Sequence, residues 1–279
     1  MLKNSQNNSK EDVINYWNKR PCNSGHSDAP IGSKSFHEQV ALKRYLVEPH
    51  ILDFADFQAY FGQNVLEIGS GIGTDAFQFA KSGAIVKSGD ISHRSIEICE
   101  KIKVSLEVEN VEFFCHDFEN SKLPIEPQFV PDLIYSFGVI HHSPDPEKVF
   151  QNLSHWGKPG TKVKIMVYSR VSTKALALYI KYGYKVGFDF DKAVALQSEA
   201  QYGSPYTYTY TRKKIRKILE NNNIQVTNIF KRHIFTFKVE EYKANKYVKK
   251  FYWRIVPKSV FTKVETILGW HLLIEGEVL

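Results

Sequence analysis

Short apolar runs alternate with segments of helical periodicity through most of the chain. Val65, Leu66 and Ile68 form the first run, which has the character of a strand buried on both faces. Strands alternating with helices are typical of a doubly wound parallel sheet, so the pattern predicts an α/β fold. The segments that we interpret as strands are 64–68, 84–90, 111–115, 132–138, 163–168, 224–230 and 269–277.

Three glycines, Gly69, Gly71 and Gly73, follow the first strand, and Thr74 begins a predicted helix. A strand, a glycine turn and a helix bring backbone N–H groups close to a ligand. Asp90 ends the second strand about 20 residues later, where α/β nucleotide sites hold a ribose diol. Thr74 stands where a dinucleotide fingerprint needs its third glycine, which argues against a pyrophosphate ligand. A purely structural glycine turn is the alternative interpretation.

Glu67 precedes these glycines, and the pattern E-x-G-x-G-x-G resembles motif I of the class I S-adenosylmethionine-dependent methyltransferases. The segment 136–142 at the end of the fourth strand resembles the group that contains the ubiquinone and menaquinone biosynthesis methyltransferases. Lys158-Pro-Gly before the fifth strand also matches, and the likeness is specific over about residues 62–170. It implies a Rossmann-like, doubly wound, mostly parallel seven-stranded sheet with an antiparallel edge strand, a helical N-terminal lid and an insertion after strand five.

The resemblance implies S-adenosylmethionine as cofactor, S-adenosylhomocysteine as product, and no metal. We expect Asp117 to accept the adenine amino group, Phe118 to pack on the ring, and Tyr16 to lie over the sulfonium, which attracts an aromatic face. Plain helix packing is the alternative for Tyr16. The expected cofactor-binding residues are Tyr16, Glu67, Gly69, Ser70, Gly71, Gly73, Thr74, Asp75, Asp90, Ile91, Ser92, Asp117, Phe118, Ser136, Phe137 and Gly138.

Methyl transfer from a sulfonium is an in-line displacement, so we expect the protein chiefly to position the reactants and exclude water. An acceptor that carries a proton also needs a base. His142 and His141 are the catalytic candidates, with Tyr16 as the partner that similarity to phosphoethanolamine methyltransferases implies. A structural role for the two histidines in the strand-four loop is the alternative.

The acceptor is less constrained than the cofactor. A small-molecule acceptor methylated on O or N is the leading hypothesis, and an amphiphilic quinone or lipid headgroup at a membrane surface is the second. RNA is less favoured, because the strand-four segment lacks the Asn/Asp-Pro-Pro-Tyr signature of enzymes that methylate base amines. A non-catalytic S-adenosylmethionine-binding subunit is the last alternative.

Charge is unevenly distributed along the chain of 279 residues, whose net charge is +7. Residues 205–279 hold 15 Lys and Arg against 6 Asp and Glu, so the remainder is slightly acidic. Such a basic region could contact anionic lipid at a membrane surface, an acidic substrate or nucleic acid. Of these partners, nucleic acid is not expected, because the strand-four segment lacks the base-amine methylation signature. A lysine-rich solvated face is the alternative, and the sequence predicts no oligomeric state.

Three dispersed cysteines without metal or disulfide spacing favour a reducing compartment, so we predict a cytoplasmic protein. No secretion signal and no apolar run long enough to span a membrane is recognised. We predict one structural domain in three parts: a helical lid over 1–61, a cofactor-binding core over 62–170, and an acceptor cover with the last strands and basic helices over 171–279.

Overall fold

A seven-stranded sheet forms the centre of the computed structural model, which describes residues 9–198, 203–244 and 246–279. The strand order is β3-β2-β1-β4-β5-β7-β6. The strands are β1 (Asn64–Ile68), β2 (Ile85–Asp90), β3 (Val111–Cys115), β4 (Leu133–Phe137), β5 (Lys162–Tyr168), β6 (Ile224–Arg232) and β7 (His271–Val278). Neighbours from β3 to β5 are parallel, whereas β7 pairs antiparallel with both β5 and β6. The predicted mostly parallel sheet with antiparallel pairing at one end is confirmed.

The sheet is covered on both faces, as the apolar character of β1 predicts. Val65 packs into a core cluster with Phe77 on one face, and Leu66 packs with Phe150 on the other. All four side chains are fully buried. Because both faces of β1 are dry, its sequence is a continuous apolar run and not an alternating one.

Helices precede, connect and follow the strands. The helix bounds are α1 (Lys10–Lys19), α2 (Lys34–Val47), α3 (His50–Ala55), α4 (Thr74–Lys81), α5 (His93–Leu106), α6 (Pro146–Trp156), α7 (Thr173–Tyr182), α8 (Phe190–Ala195), α9 (Arg212–Glu220), α10 (Val239–Lys243), α11 (Phe251–Ile255) and α12 (Lys258–Leu268). Short 3-10 turns occur at 24–26, 57–60, 140–142 and 183–186. The predicted break at Pro49 separates α2 from α3, because the proline ring disfavours continuation of a helix before it.

α1 is tied to the core at both of its ends. Ser9 caps its first turn in a capping box with Asp12. Lys10 lies 2.5 Å from an Asp117 oxygen and 2.6 Å from a Glu119 oxygen. At the other end, the Asn18 side-chain oxygen accepts from the Ser92 hydroxyl at 2.9 Å. α1 is therefore fixed across the edge of the sheet where β2 and β3 end.

Within the described residues, no helix combines the length and apolar character that a membrane span requires. Besides the connecting helices α4, α5 and α6, the chain has α1–α3 before β1 and α7–α12 after β5. These segments correspond in position to the predicted lid and cover, whose roles stay predictions.

Candidate active site

A cleft opens at the carboxyl ends of β1, β2 and β4, the position at which open α/β sheets bind ligands. Its cavity volume is about 240 Å³. The predicted cofactor residues that line it are Glu67, Gly69, Ser70, Gly71, Thr74, Asp75, Asp90, Ile91, Asp117, Phe118, Phe137 and Gly138. Residues from five segments of the chain thus converge on one cavity: those at or just after the ends of β1, β2, β3 and β4, and those that begin α4.

The glycine turn is required by its backbone and by its neighbours. Gly69 has a φ of +85°, and a Cβ there would lie 2.2 Å from a Val139 methyl carbon. The Gly69 and Ser70 N–H groups donate to the Gly89 carbonyl at 2.7 and 2.9 Å. This turn therefore closes tightly against β2 and presents the following residues to the cleft.

Asp90 is held at the tip of β2 by backbone donors. The Gly71 N–H donates to one carboxylate oxygen and the Ser92 N–H to the other, each at 2.8 Å. Burial raises the pKa of Asp90 to about 6, although these N–H groups oppose the shift. The carboxylate is ionised at neutral pH and can still accept hydrogen bonds, as binding of a diol requires.

Glu67 lies at the end of β1 and is almost fully buried. The Ser88 hydroxyl donates to its carboxylate at 2.5 Å. Burial, and secondarily the charge of Asp75, raises the pKa of Glu67 well above its ordinary value. Glu67 also lines the cleft, and its contact with the cofactor stays a prediction.

Asp75 sits in a buried network that the sequence did not reveal. Arg44 of α2 donates to its two oxygens at 2.7 and 3.2 Å. The hydroxyls of Tyr45 and Tyr135 donate to the same carboxylate at 2.9 and 3.0 Å. Arg44 also lines the cleft, and its guanidinium carbon lies 5.2 Å from the centre of the Phe137 ring. An arginine one turn after the buried apolar pair Val40 and Ala41 of α2 is the signal that would have identified it.

Asp117 and Phe118, which follow β3, line the cleft. Phe118 packs edge-on against Trp156, with ring centres 5.6 Å apart. Asp117 contacts Lys10, so the carboxylate predicted to bind the adenine amino group has a cationic partner from α1. The contacts of both residues with adenine stay predictions.

The two histidines after β4 have different environments. His142 lines the cleft, and its Nδ1 lies 2.8 Å from the Tyr206 carbonyl oxygen. His141 lies outside the cleft lining and is fully buried, with its ring 3.9 Å from that of Tyr168. Burial lowers the pKa of His141 well below its ordinary value, so the ring is neutral. This position fits packing, and a catalytic role for His141 requires a rearrangement.

Tyr16 does not line the cleft, in contrast to the prediction for both of its roles. Trp17 does, with its ring edge-on to His142 at 5.5 Å. Tyr16 packs edge-on against Trp17 at 4.9 Å, because successive residues of a helix point in different directions. Trp17 is thus the ring of α1 that lines the cleft, and a contact between Tyr16 and the cofactor or acceptor stays a prediction.

Three further predicted cofactor residues support the cleft from behind it. Gly73 lies against Phe77, and a Cβ there would approach that ring to 2.7 Å. Ser92 caps α5, and the Ser136 hydroxyl donates to the Ile68 carbonyl at 3.1 Å. These residues shape the cleft, and a direct contact with cofactor stays a prediction for each.

The sequence profile of a family described as a methyltransferase domain matches residues 61–223, more than half of the chain. The chain belongs to this methyltransferase family. It is a class I S-adenosylmethionine-dependent methyltransferase, as motif I indicates. The matched residues include every strand of the sheet up to β5 and all the cleft residues after β1, β2, β3 and β4.

Curated relatives of this methyltransferase include enzymes with different acceptors. The ubiquinone biosynthesis O-methyltransferase of Coxiella burnetii strain Dugway 5J108-111 is 26% identical over 61% of this chain and 67% of its own length. The homologue from strain RSA 331 is 29% identical over 53% of its own length. Phosphoethanolamine N-methyltransferase 3 of Arabidopsis thaliana is 34% identical over 46% of this chain, which spans 26% of that protein. This chain thus matches only part of each relative.

Solved structures share the fold of this methyltransferase. Geranyl diphosphate C-methyltransferase from Streptomyces coelicolor A3(2) superposes with a TM-score of 0.60 at 12% identity, covering 96% of this chain and 97% of that one. Magnesium protoporphyrin IX methyltransferase from Synechocystis PCC 6803 gives 0.58 at 16% identity, covering 97% and 100%. At these identities the likeness concerns the fold.

The cleft residues of this methyltransferase fit S-adenosylmethionine. The Ser70 hydroxyl is buried at the cleft wall and has no hydrogen-bond partner among the described residues, so a polar ligand atom would satisfy it. A Cβ at Gly71 would meet only Cys22, at 3.8 Å, so the backbone there is open to close approach. Carboxylates at Asp90 and Asp117 suit a ribose and an amino group, and Arg44 suits a carboxylate.

Proposed function

We propose that this methyltransferase transfers a methyl group to an oxygen or nitrogen atom of a small-molecule acceptor held against the aromatic wall of the cleft. The wall is formed by Trp17, His142 and Tyr168, all of which line the cavity. It is the observation that carries the proposal, because it places a candidate base among flat apolar surfaces beside the cofactor residues.

The wall is a continuous set of ring contacts. Trp17 meets His142 at 5.5 Å, and His142 meets Tyr168 edge-on at 5.6 Å. Tyr168 stacks on Trp270 at 4.1 Å, which fixes its ring from behind. Such a surface favours a flat or partly apolar acceptor, since aromatic faces stack on rings and exclude water.

His142 has a tautomer suited to general base chemistry. A carbonyl oxygen only accepts hydrogen bonds, so the 2.8 Å contact with Tyr206 requires the proton on Nδ1 of the neutral ring. The acceptor lone pair is then on Nε2. In this arrangement Nε2 would take the proton of an acceptor hydroxyl as the methyl group is transferred. It would take that of an ammonium group before the transfer, because the nitrogen needs a free lone pair to attack the methyl group.

The cofactor is assigned to the cleft by charge and position. Bound S-adenosylmethionine supplies an electrophilic methyl group on a sulfonium. We assign the ribose diol to Asp90, the adenine amino group to Asp117, and the carboxylate of the methionine part to Arg44. Each is a charge-assisted hydrogen bond between complementary groups. The residues hold the sulfonium and acceptor in line, which is the main contribution expected of the protein.

The relatives support an O or N acceptor without selecting one. The Coxiella enzyme is named as an O-methyltransferase of ubiquinone biosynthesis and the Arabidopsis enzyme as an N-methyltransferase of phosphoethanolamine. Both acceptors carry a proton on the atom that is methylated, which is the situation in which a base at His142 is useful.

The test is a methyl-transfer screen with radiolabelled S-adenosylmethionine across phenols, amines, carboxylates and lipid headgroups. With the acceptor found, His142→Gln should lower kcat by about 10²–10⁴-fold and leave cofactor affinity unchanged. His155→Gln is the matched control, because His155 is exposed on α6. An unchanged kcat in His142→Gln would exclude the base role, and a screen without any accepted small molecule would exclude the proposal.

An amphiphilic acceptor at a membrane surface is the second candidate, and the surface of α11 and α12 favours it. Phe251 is 72% exposed, Ile255 66% and Ile267 63%, and these helices lie in the basic region. Exposed apolar residues with lysines are typical of contact with anionic lipid. Sedimentation with vesicles of anionic lipid tests this candidate. Binding that is absent, or unaffected by Phe251→Ser together with Ile255→Ser, would exclude it.

A further inference from the structure

Three histidines from distant parts of the sequence meet beside the cleft. His50 begins α3, His233 follows β6, and His271 begins β7. One ring nitrogen from each lies within 4.8 Å of the others. Among the described residues, this is the group of histidine, cysteine and acidic side chains whose geometry suits a metal ion. The sequence alone predicts no metal site.

His50 and His271 already have a nitrogen spacing close to that of metal ligands. His50 Nε2 and His271 Nδ1 lie 2.9 Å apart, with the proton on one of them. Two imidazole nitrogens on a tetrahedral Zn²⁺ are about 3.3 Å apart, given Zn–N bonds of about 2.0–2.1 Å. An increase of a few tenths of an ångström in this distance would therefore let both bind one ion. The ring of His233 stacks on that of His271, with centres 4.5 Å apart, and would have to turn and move closer to supply the third nitrogen.

Glu48 supplies an independent observation that points to ligation. One of its carboxylate oxygens lies 3.5 Å from Nε2 of His271, the nitrogen on the opposite side of the ring from the one that faces His50. A histidine that ligates a metal commonly donates its other N–H to a carboxylate, which orients the ring and makes it a stronger ligand. Glu48 also lies 4.0 Å from Arg44, so its charge offsets the nearest cation.

The cations Lys174 and Arg44 lie near the cluster and oppose a metal ion, which makes the carboxylate of Glu48 important.

His271 is the member of the cluster that lines the cleft. Structural zinc sites are closed by four protein ligands, whereas sites that act on a substrate keep one position open. Three histidine ligands, one of them at the cleft wall, correspond to the second type. His233 also has a φ of +71°, a backbone conformation uncommon for non-glycine residues and often found at functional sites.

We propose that His50, His233 and His271 bind a first-row divalent metal ion, with Zn²⁺ as the reference ion and the open position directed into the cleft. Imidazole ligands suit zinc, copper, iron and nickel, so the identity of the ion follows from availability. Metal binding at this site is independent of the acceptor proposed above. Only its role, to hold an acceptor oxygen near the methyl group, rests on that proposed function.

Zinc binding to the full chain provides the test. Protein stripped with a chelator is titrated with Zn²⁺ by calorimetry, and with Co²⁺ by visible absorption, which reports low-symmetry nitrogen coordination. Wild type should bind a single Zn²⁺ per chain, and His233→Gln and His50→Gln should lose this binding. Glu48→Gln should weaken it by about 10–100-fold. His155→Gln, in which an exposed histidine outside the cluster is replaced, should bind as wild type does.

Each outcome has a defined meaning. Absence of Zn²⁺ binding by wild type, or equal binding by His233→Gln and wild type, would overturn the proposal. Stabilisation by S-adenosylhomocysteine in a thermal shift assay shows that each variant is folded. If S-adenosylhomocysteine stabilises neither histidine variant, the zinc affinity of Glu48→Gln and the Co²⁺ spectrum of wild type test the proposal instead. A failed acceptor screen with intact zinc binding would reject the proposed function and retain the metal site.

Discussion

Arg44→Met tests whether the buried ion pair connects α2 to the beginning of α4. The side chains of Arg44 and Asp75 are 12% and 4% exposed, and they share two hydrogen bonds. Without the guanidinium, the Asp75 carboxylate would keep only the hydroxyls of Tyr45 and Tyr135. Removing one partner of a buried pair costs about 3–5 kcal/mol, because the other charge stays buried without compensation.

Chemical denaturation measures the free energy of unfolding of each variant. Arg94→Met is the matched control, because Arg94 and Glu97 form an exposed i,i+3 pair with side chains 44% and 60% exposed. Exposed pairs contribute about 0–1 kcal/mol, so this variant should unfold almost as wild type does. The melting temperature of Arg44→Met should fall by about 10 °C, at roughly 2–4 °C per kcal/mol for large domains.

The double variant Arg44→Met with Asp75→Leu completes the thermodynamic cycle. Since it removes both charges, it should be more stable than Arg44→Met alone, and the two single costs should not add. If Arg44→Met loses no more free energy of unfolding than Arg94→Met does, the buried ion pair does not connect α2 to α4 as argued. The same conclusion follows if the double variant loses as much free energy of unfolding as the two single variants together.

Three further predictions concern the cleft. Affinity for S-adenosylmethionine should fall about tenfold for each pH unit below 6, because Asp90, whose pKa is raised to about 6, then becomes protonated and loses a hydrogen-bond acceptor. Calorimetric titration at pH 5 and at pH 8 measures this fall. Asp90→Ala should bind S-adenosylmethionine weakly at both pH values. Trp17→Ala should raise KM for the acceptor several-fold more than Tyr16→Ala does, since Trp17 lines the cavity; equal effects in steady-state kinetics would contradict the assigned wall. Gly69→Ala should lower the free energy of unfolding more than Gly62→Ala does. Both positions have a positive φ, but a Cβ at Gly62 would meet no atom within 4 Å. The loss for Gly62→Ala is therefore backbone strain alone, about 1–2 kcal/mol. Similar melting temperatures for the two glycine variants would show that Val139 yields without cost.

The sheet could be predicted because its signals are local. The buried strand β1, the glycine turn and Asp90 each follow from a few adjacent residues, and parallel strands place their carboxyl ends together. Asp117 and Phe118 depended on the family resemblance, since an aspartate in a loop has no distinguishing pattern. The methyltransferase family and fold are confirmed, whereas the roles of individual cleft residues stay predictions.

The remainder of the site depends on long-range packing. Helical periodicity gives the apolar side of α1 but not its rotation over the cleft, so Trp17 could not be distinguished from Tyr16. Arg44 reaches Asp75 across 31 residues of sequence, and the packing of α2 against α4 that permits this has no sequence signature. His50, His233 and His271 meet only after the sheet is complete, so their spacing resembles no metal motif.

The place of β7 within the sheet has a consequence for how the chain acquires its shape during synthesis. β6 pairs with β7 and with no other strand of the described sheet, so it emerges from the ribosome before its neighbour exists. Until residues 271–278 follow, both β5 and β6 expose unpaired backbone edges, which attract other chains. A stalled or clipped product that ends before Trp270 should therefore be prone to aggregation and lack His271, which lines the cleft.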